Sequence, residues 1–281
     1  MTRLVIFLCW FICTFSQSAE WKISYPKPVS DEDLRTSYPV QLLSLALDQT
    51  GVNYRLVPSD KILQQSKALK RLEDNREVNV VWSGTDKQRE ERLLPIRIPI
   101  YKGLIGWRLM LIRNDMGERF KYIQKVEHLI KLNPLQGHDW PDTKILQANG
   151  FEVSTSNNYS SLFNMLRNAQ GDFFPRSVVE VWGELSNDNF NKKIILESAI
   201  GIRYPTAMYF FVNKKSVPLA NLLEQGLEKA IANGKFDELF LRVHQPILNK
   251  SNIKGRRFFD LENIFLPKET PLERTELWYQ P

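Results

Sequence analysis

The sequence predicts an α/β protein built on mostly parallel sheets that helices cover. Short β-branched or alternating runs indicate strands, and apolar residues spaced three or four apart indicate the helices between them. In order, the first half predicts strand 21–25, helix 40–50, strand 52–57, a helix capped by Ser59-Asp60, and strand 78–82. This βαβαβ order is the unit of a parallel sheet with covering helices.

A second α/β set is expected after a bent, apolar stretch over 94–112, whose prolines and glycines argue against one long helix. The set begins at about Gly117 and ends before residues 207–212, an extended run that predicts a return crossing. The clearest amphipathic helix spans 219–231 and ends at Gly234. The tail beyond Phe258 is expected to wrap the surface.

The N-terminus has the three parts of a secretory signal peptide. Arg3 supplies the charge, 4–15 the short apolar run, and Ser18-Ala19 the small residues at a cleavage site. The run is too short to span a bilayer, although an uncleaved anchor is the alternative. Cys9 and Cys13 lie inside this segment, so the mature chain is expected to have no thiol and to reside in the periplasm.

Composition and motifs exclude several classes of function. The formal charge of +6 is mild and scattered, so no nucleic-acid partner is expected. The three histidines are far apart and have no metal-binding spacing, and the sequence has no nucleophile elbow or glycine-rich phosphate loop. We therefore expect no metal, no cofactor and no enzymatic activity, with a dispersed acid–base pair as the alternative.

Three segments, in this order and spacing, carry a resemblance to a known family. They are Ser83 to Arg89 followed by Pro99 to Gly103, then Leu166 to Phe174, and then 222–240 with its Gly-x-Phe-Asp turn. Together they resemble the type 2 periplasmic solute-binding proteins, in particular the receptors for polar amino acids. Gly137 to Thr143 (GHDWPDT) and Phe174-Pro175-Arg176 also resemble a poorly characterised bacterial subgroup.

The resemblance implies a two-lobed type 2 periplasmic binding protein fold that closes over a ligand by hinge motion. After the signal peptide that the N-terminal pattern predicts over 1–19, the resemblance places 20–106 and 206–281 in lobe 1 and 107–205 in lobe 2. Two crossover strands would join the lobes. The protein is expected to be a monomer.

The resemblance also implies site residues on both lobes. Arg89 would pair with a ligand carboxylate, with Arg92 or a merely solvated Arg89 as the alternatives. Arg176 stands where amino-acid receptors have an aspartate, so the ligand is expected to be anionic; a structural salt bridge is the alternative. The full predicted set is Tyr25, Ser83, Gly84, Thr85, Arg89, Arg108, Gly137, His138, Trp140, Phe174, Arg176 and Tyr204.

The predicted function is therefore the capture of a small, polar, anionic solute, with a carboxylate-bearing compound as one candidate, for an inner-membrane permease of the ABC type or a sensor. An enzyme on the same scaffold, such as a dehydratase, and a non-binding interaction protein of the envelope are the two alternatives.

Overall fold

The computed structural model describes residues 20–28 and 36–280, which form two lobes joined by a hinge. The predicted signal peptide, with Cys9 and Cys13, lies outside these residues and stays a prediction. No helix among the described residues is long and apolar enough to cross a membrane.

The elements follow the chain in three groups. The first group is β1 (Trp21–Lys27), α1 (Ser37–Asp48), β2 (Tyr54–Ile62), α2 (Gln65–Glu73), β3 (Val81–Gly84), α3 (Lys87–Arg92) and β4 (Leu93–Ile96). The second is β5 (Trp107–Arg113), α4 (Gly117–Lys121), α5 (Val126–Ile130), β6 (Leu135–Gly137), α6 (Pro141–Ala148), β7 (Ser154–Ser156), α7 (Tyr159–Arg167), β8 (Phe173–Ser177), α8 (Val181–Ser186) and β9 (Ile194–Arg203). The third is β10 (Met208–Asn213), α9 (Val217–Ala232), α10 (Lys235–Ser251) and β11 (Arg257–Asp260).

The sheets are mixed rather than mostly parallel. Lobe 1 contains the pair β1-β2 and the sheet β3-β10-β4; lobe 2 contains β11-β9-β5-β8 and the pair β6-β7. The pairs β1-β2, β6-β7 and β9-β11 are parallel. In contrast, β10 is antiparallel to β3 and β4, and β5 is antiparallel to β8 and β9.

Two local predictions differ from the structure. Ser59 does not cap a helix, because β2 continues to Ile62 and the Ser59 hydroxyl accepts from the Lys27 N–H at 3.0 Å and donates to the Lys61 carbonyl at 2.7 Å. The C-terminal tail does not belong wholly to lobe 1, because β11 pairs with β9 in the four-stranded sheet of lobe 2. The chain then returns to lobe 1, where the Tyr279 N–H donates to the Lys102 carbonyl at 2.8 Å.

The hinge brings its two crossing segments into direct contact. The Tyr204 N–H donates to the Gly106 carbonyl at 3.3 Å. A Cβ on Gly106 would lie 2.2 Å from the Tyr204 carbonyl oxygen, so only glycine allows this approach.

The largest apolar cluster contains buried side chains from both lobes, among them Leu104 and Leu109. A second cluster lies in lobe 2 around Phe120 and Phe173, and a third in lobe 1 around Tyr209 and Phe211. The lobes therefore share a continuous core at the hinge, while each has further packing of its own.

Candidate functional site

The main cavity lies between the two lobes and has a volume of about 480 Å³, which suits a small solute. Lobe 1 contributes Trp82, Tyr101, Ile105 and Met208, together with uncharged polar residues such as Gln64, Ser66 and Thr206. Lobe 2 contributes the charged residues Asp142, Arg176 and Glu180, together with Gly137, His138, Trp140 and Tyr159. Arg108, at the start of β5, joins the two sides.

Five charged side chains form a largely buried network along the lobe 2 side of the cavity. Arg176 lies 3.0 Å from a Glu180 oxygen and 2.7 Å from a Glu184 oxygen. Arg108 pairs with Asp142 and lies 3.6 Å from the other Glu180 oxygen, so Glu180 joins the two arginines. We call Asp142, Arg108, Glu180, Arg176 and Glu184 the charge network.

Two tyrosine hydroxyls complete the network. Tyr204 donates to Asp142, and Tyr159 donates to Glu184 at 2.6 Å. Burial raises the pKa of Tyr204 well above its usual value, which keeps its phenol neutral and able to donate. Three carboxylates therefore face two guanidinium groups, and the network carries one formal negative charge in excess.

The carboxylates of this network are more accessible than its guanidinium groups. The side chains of Arg108 and Arg176 are 3% and 2% exposed, whereas those of Asp142 and Glu180 are 13% and 16% exposed. Burial works against the charge of Arg176, but Glu180 and Glu184 outweigh it and raise the pKa well above the usual value for arginine. The arginine charges are thus compensated within the protein.

Aromatic rings hold Arg176 in place. Its guanidinium lies 4.8 Å from the Trp140 ring centroid and 5.0 Å from that of Phe174, and the two rings stack at 19°. The Trp140 ring lies directly over Gly137, where a Cβ would come within 2.4 Å of it. Gly137 is therefore needed for the position of Trp140.

The structure brings six of the predicted site residues to the cavity: Gly84, Arg108, Gly137, His138, Trp140 and Arg176. Three others support residues that line it. Phe174 stacks on Trp140, Tyr204 binds Asp142, and the Tyr25 ring lies 6.1 Å from that of Trp82.

Ser83, Thr85 and Arg89 do not line this cavity. The Ser83 hydroxyl accepts from Arg89 at 2.7 Å, and the Thr85 hydroxyl donates to Glu90 at 2.6 Å. Both side chains are buried and bonded within lobe 1. The anion-binding group that the resemblance implies is therefore engaged in internal contacts.

The three acidic members of the site and one of its two tyrosines were not among the predicted ligand-binding residues. They are Asp142, Tyr159, Glu180 and Glu184. One signal was available, because Arg176, Glu180 and Glu184 follow each other at a spacing of four. Such a spacing brings side chains together on a helix. Here the three residues lie at the end of a strand, in a turn and in a short helix, so the sequence pattern alone does not predict their contact.

Comparison with solved structures establishes the class of fold. The chain superposes on an ancestral arginine-binding protein bound to arginine, with a TM-score of 0.59 and 12% identity, over 80% of this chain and 97% of that one. It also superposes on the VFT2 domain of BvgS from Bordetella pertussis (TM-score 0.61, 17% identity, 80% and 93% covered). A third match is the lysine-complexed putative binding component of an ABC transporter from Wolinella succinogenes (TM-score 0.58, 13% identity, 80% and 95% covered).

No protein-family model matches the chain, and no curated protein matches it either. The chain nevertheless has the two-lobed fold of the type 2 periplasmic binding proteins and Venus flytrap domains, so this prediction is confirmed.

Proposed function

We propose that this protein captures a small polar solute between its lobes in the periplasm, without converting it, and presents it to a transporter or a sensor. The proposal is supported by the fold and by the cavity between the two lobes. The structural neighbours are binding proteins and sensor domains.

The charge network favours a ligand with a cationic, donor-rich group. The observation that carries this proposal is the order of exposure: of these four side chains that line the cavity, Asp142 and Glu180 are more exposed than Arg108 and Arg176. An ammonium or guanidinium group beside these carboxylates would offset the excess negative charge and donate charge-assisted hydrogen bonds.

The sequence predicts an anionic ligand, because Arg176 stands where the amino-acid receptors that the chain resembles have an aspartate. In the structure, Arg176 already has two carboxylates of its own. An added anion would compete with Glu180 and Glu184 for a buried cation, and it would approach Asp142 against charge repulsion. The cationic alternative therefore fits the described residues better.

The rest of the cavity suits a short carbon chain. Trp82, Tyr101, Ile105 and Met208 on lobe 1 offer apolar contact, and the Trp140 and Tyr159 rings on lobe 2 add aromatic faces. We infer a ligand with a charged end on lobe 2 and an apolar body between the lobes.

A thermal-shift screen with small cationic and anionic compounds tests the sign of the ligand's charge. Arginine, lysine and cadaverine form the cationic set, and glutamate, glutarate and phosphate form the anionic set. Binding to the folded state raises the melting temperature, so at least one cation should do so while the anions do not. Stabilisation by the anions alone would refute the cationic ligand, and loss or conversion of the ligand during incubation would refute a purely binding role.

Two variants test whether the cation binds at the charge network. Glu180→Gln should reduce the stabilisation by a cation, because it removes a charge that faces the cavity. Glu228→Gln is the matched control, since Glu228 pairs with Arg274 and is 40% exposed elsewhere on the protein. An equal response of both variants would place the binding site outside the charge network.

A further inference from the structure

The hydrogen bonds of Arg89 carry an inference about the chemical class of the ligand. Its Nη1 donates to the Ser83 hydroxyl and to the Gly84 carbonyl, both at 2.7 Å. Its Nη2 donates to the Gln65 side-chain oxygen at 3.2 Å and to the Asp139 carbonyl at 2.9 Å. All four Nη hydrogens are therefore used by the protein.

The remaining donor of Arg89 points to a protein carboxylate as well. Its Nε lies 3.7 Å from an Asp86 oxygen, and the side chain is only 12% exposed. A ligand carboxylate could bind this guanidinium only by displacing one of these acceptors.

The bond to Asp139 joins the two lobes. Arg89 belongs to lobe 1, and Asp139 lies between β6 and α6 of lobe 2. Pro141 approaches Gly84 at the same place, with its Cγ 3.5 Å from the position of a Gly84 Cβ. A backbone carbonyl of lobe 2 thus occupies the acceptor position at the end of β3.

Few other cationic groups along the cavity could pair with a carboxylate, and the other donors, such as Gln64, Ser66 and Thr206, are uncharged. Arg108 and Arg176 are paired with Asp142, Glu180 and Glu184 and are almost fully covered. The other described lysine or arginine that lines the cavity is Lys27, an exposed residue at its mouth.

We infer that the ligand is an amine or guanidine on a short carbon chain without a carboxylate, rather than an α-amino acid. This inference rests on the proposed function, because it takes the cationic group at Asp142 and Glu180 as given. A carboxylate inside the cavity would lose its water and meet uncharged donors but no uncompensated buried cation, and it would lie near the excess negative charge of the network.

Calorimetric titration with decarboxylated pairs tests the inference on the mature protein. Agmatine is arginine without its carboxylate, and cadaverine is lysine without its carboxylate. In at least one pair the amine should bind more tightly than the amino acid, by about tenfold or more, and in neither pair should the amino acid bind better. Equal affinities, or tighter binding of the amino acid, would overturn the inference while leaving a cationic ligand intact. Binding of neither member of either pair would overturn both this inference and the cationic part of the proposed function.

Two variants test whether Arg89 or Lys27 binds the carboxylate of an amino acid directly. Arg89→Gln removes the bond between the lobes, so it should weaken the amine and the amino acid by the same factor and leave their ratio unchanged. Lys27→Gln, at an exposed position, should leave that ratio unchanged as well. A selective loss of amino-acid binding in either variant would show that a cation of the protein holds the carboxylate, and would overturn the inference.

Discussion

Replacement of Arg176 by methionine is expected to destabilise the protein strongly even when no ligand is added. Methionine keeps much of the length and the apolar contact with Trp140 and Phe174 but removes the charge. Glu180 and Glu184 would then lose their partner at 3.0 and 2.7 Å, and Arg108 alone would face three carboxylates. The variant therefore tests whether Arg176 is held by the protein itself.

The expected magnitude follows from the burial of the pair. Removing one partner of a buried ion pair costs about 3–5 kcal/mol, because the remaining charge stays buried without compensation. Arg176 is 2% exposed and Glu184 is 5% exposed, so the full range applies. For a protein of this length the loss corresponds to a fall in melting temperature of roughly 10 °C.

Urea unfolding and calorimetry of the ligand-free protein measure this effect. The control is Arg274→Met, because Arg274 binds both oxygens of Glu228 at 2.5 and 3.0 Å but is 39% exposed. The control should lose no more than about 1 kcal/mol. Adding Glu184→Gln to Arg176→Met should recover part of the loss. A melting temperature of Arg176→Met within about 2 °C of the wild type would refute the structural role of this pair.

Three further predictions concern single side chains. Burial lowers the pKa of His244 to about 4, so the folded state holds the neutral ring. The neutral ring contributes fully to the free energy of unfolding above pH 6.5, and about 3 kcal/mol of stability is lost as the pH falls toward 4. Urea unfolding at pH 7 and pH 4.5 measures this loss, and the His244→Phe variant should not show it. Tyr204→Phe removes the hydroxyl that positions Asp142 and should weaken cation binding about three- to tenfold in calorimetry, with a smaller effect if the hydroxyl is only structural. Gly106→Ala should destabilise the protein by about 1–3 kcal/mol in the same unfolding assay, since its Cβ meets the Tyr204 carbonyl; no loss would contradict the close crossing.

The sequence predicts the order of elements because that order depends on local signals. The helix expected over 219–231 is α9 at Val217–Ala232, and the strand expected at 21–25 is β1 at Trp21–Lys27. The segment Phe258-Phe259 was harder to place, because a short apolar strand at the edge of a sheet resembles any exposed tail. Its partner β9 begins more than 60 residues earlier in the chain.

The ligand preference of the site was less predictable, because it depends on which charged side chains pair with each other in the folded protein. The sequence shows Arg89 and Arg176 but cannot show their partners. The acceptor that joins Arg89 to lobe 2 is the backbone carbonyl of Asp139, and any residue type could provide it. Arg176 suggested an anionic ligand because the four-residue spacing to Glu180 and Glu184 does not continue through one regular element.

A crystal structure of the mature protein grown with agmatine is the most direct test of the cationic ligand. We expect the guanidinium nitrogens of agmatine at about 3 Å from the carboxylates of Asp142 and Glu180, with the bond from Arg89 to the Asp139 carbonyl preserved. Density for agmatine elsewhere, or an anion from the solution bound to Arg108 or Arg176 in its place, would contradict this assignment of the cavity.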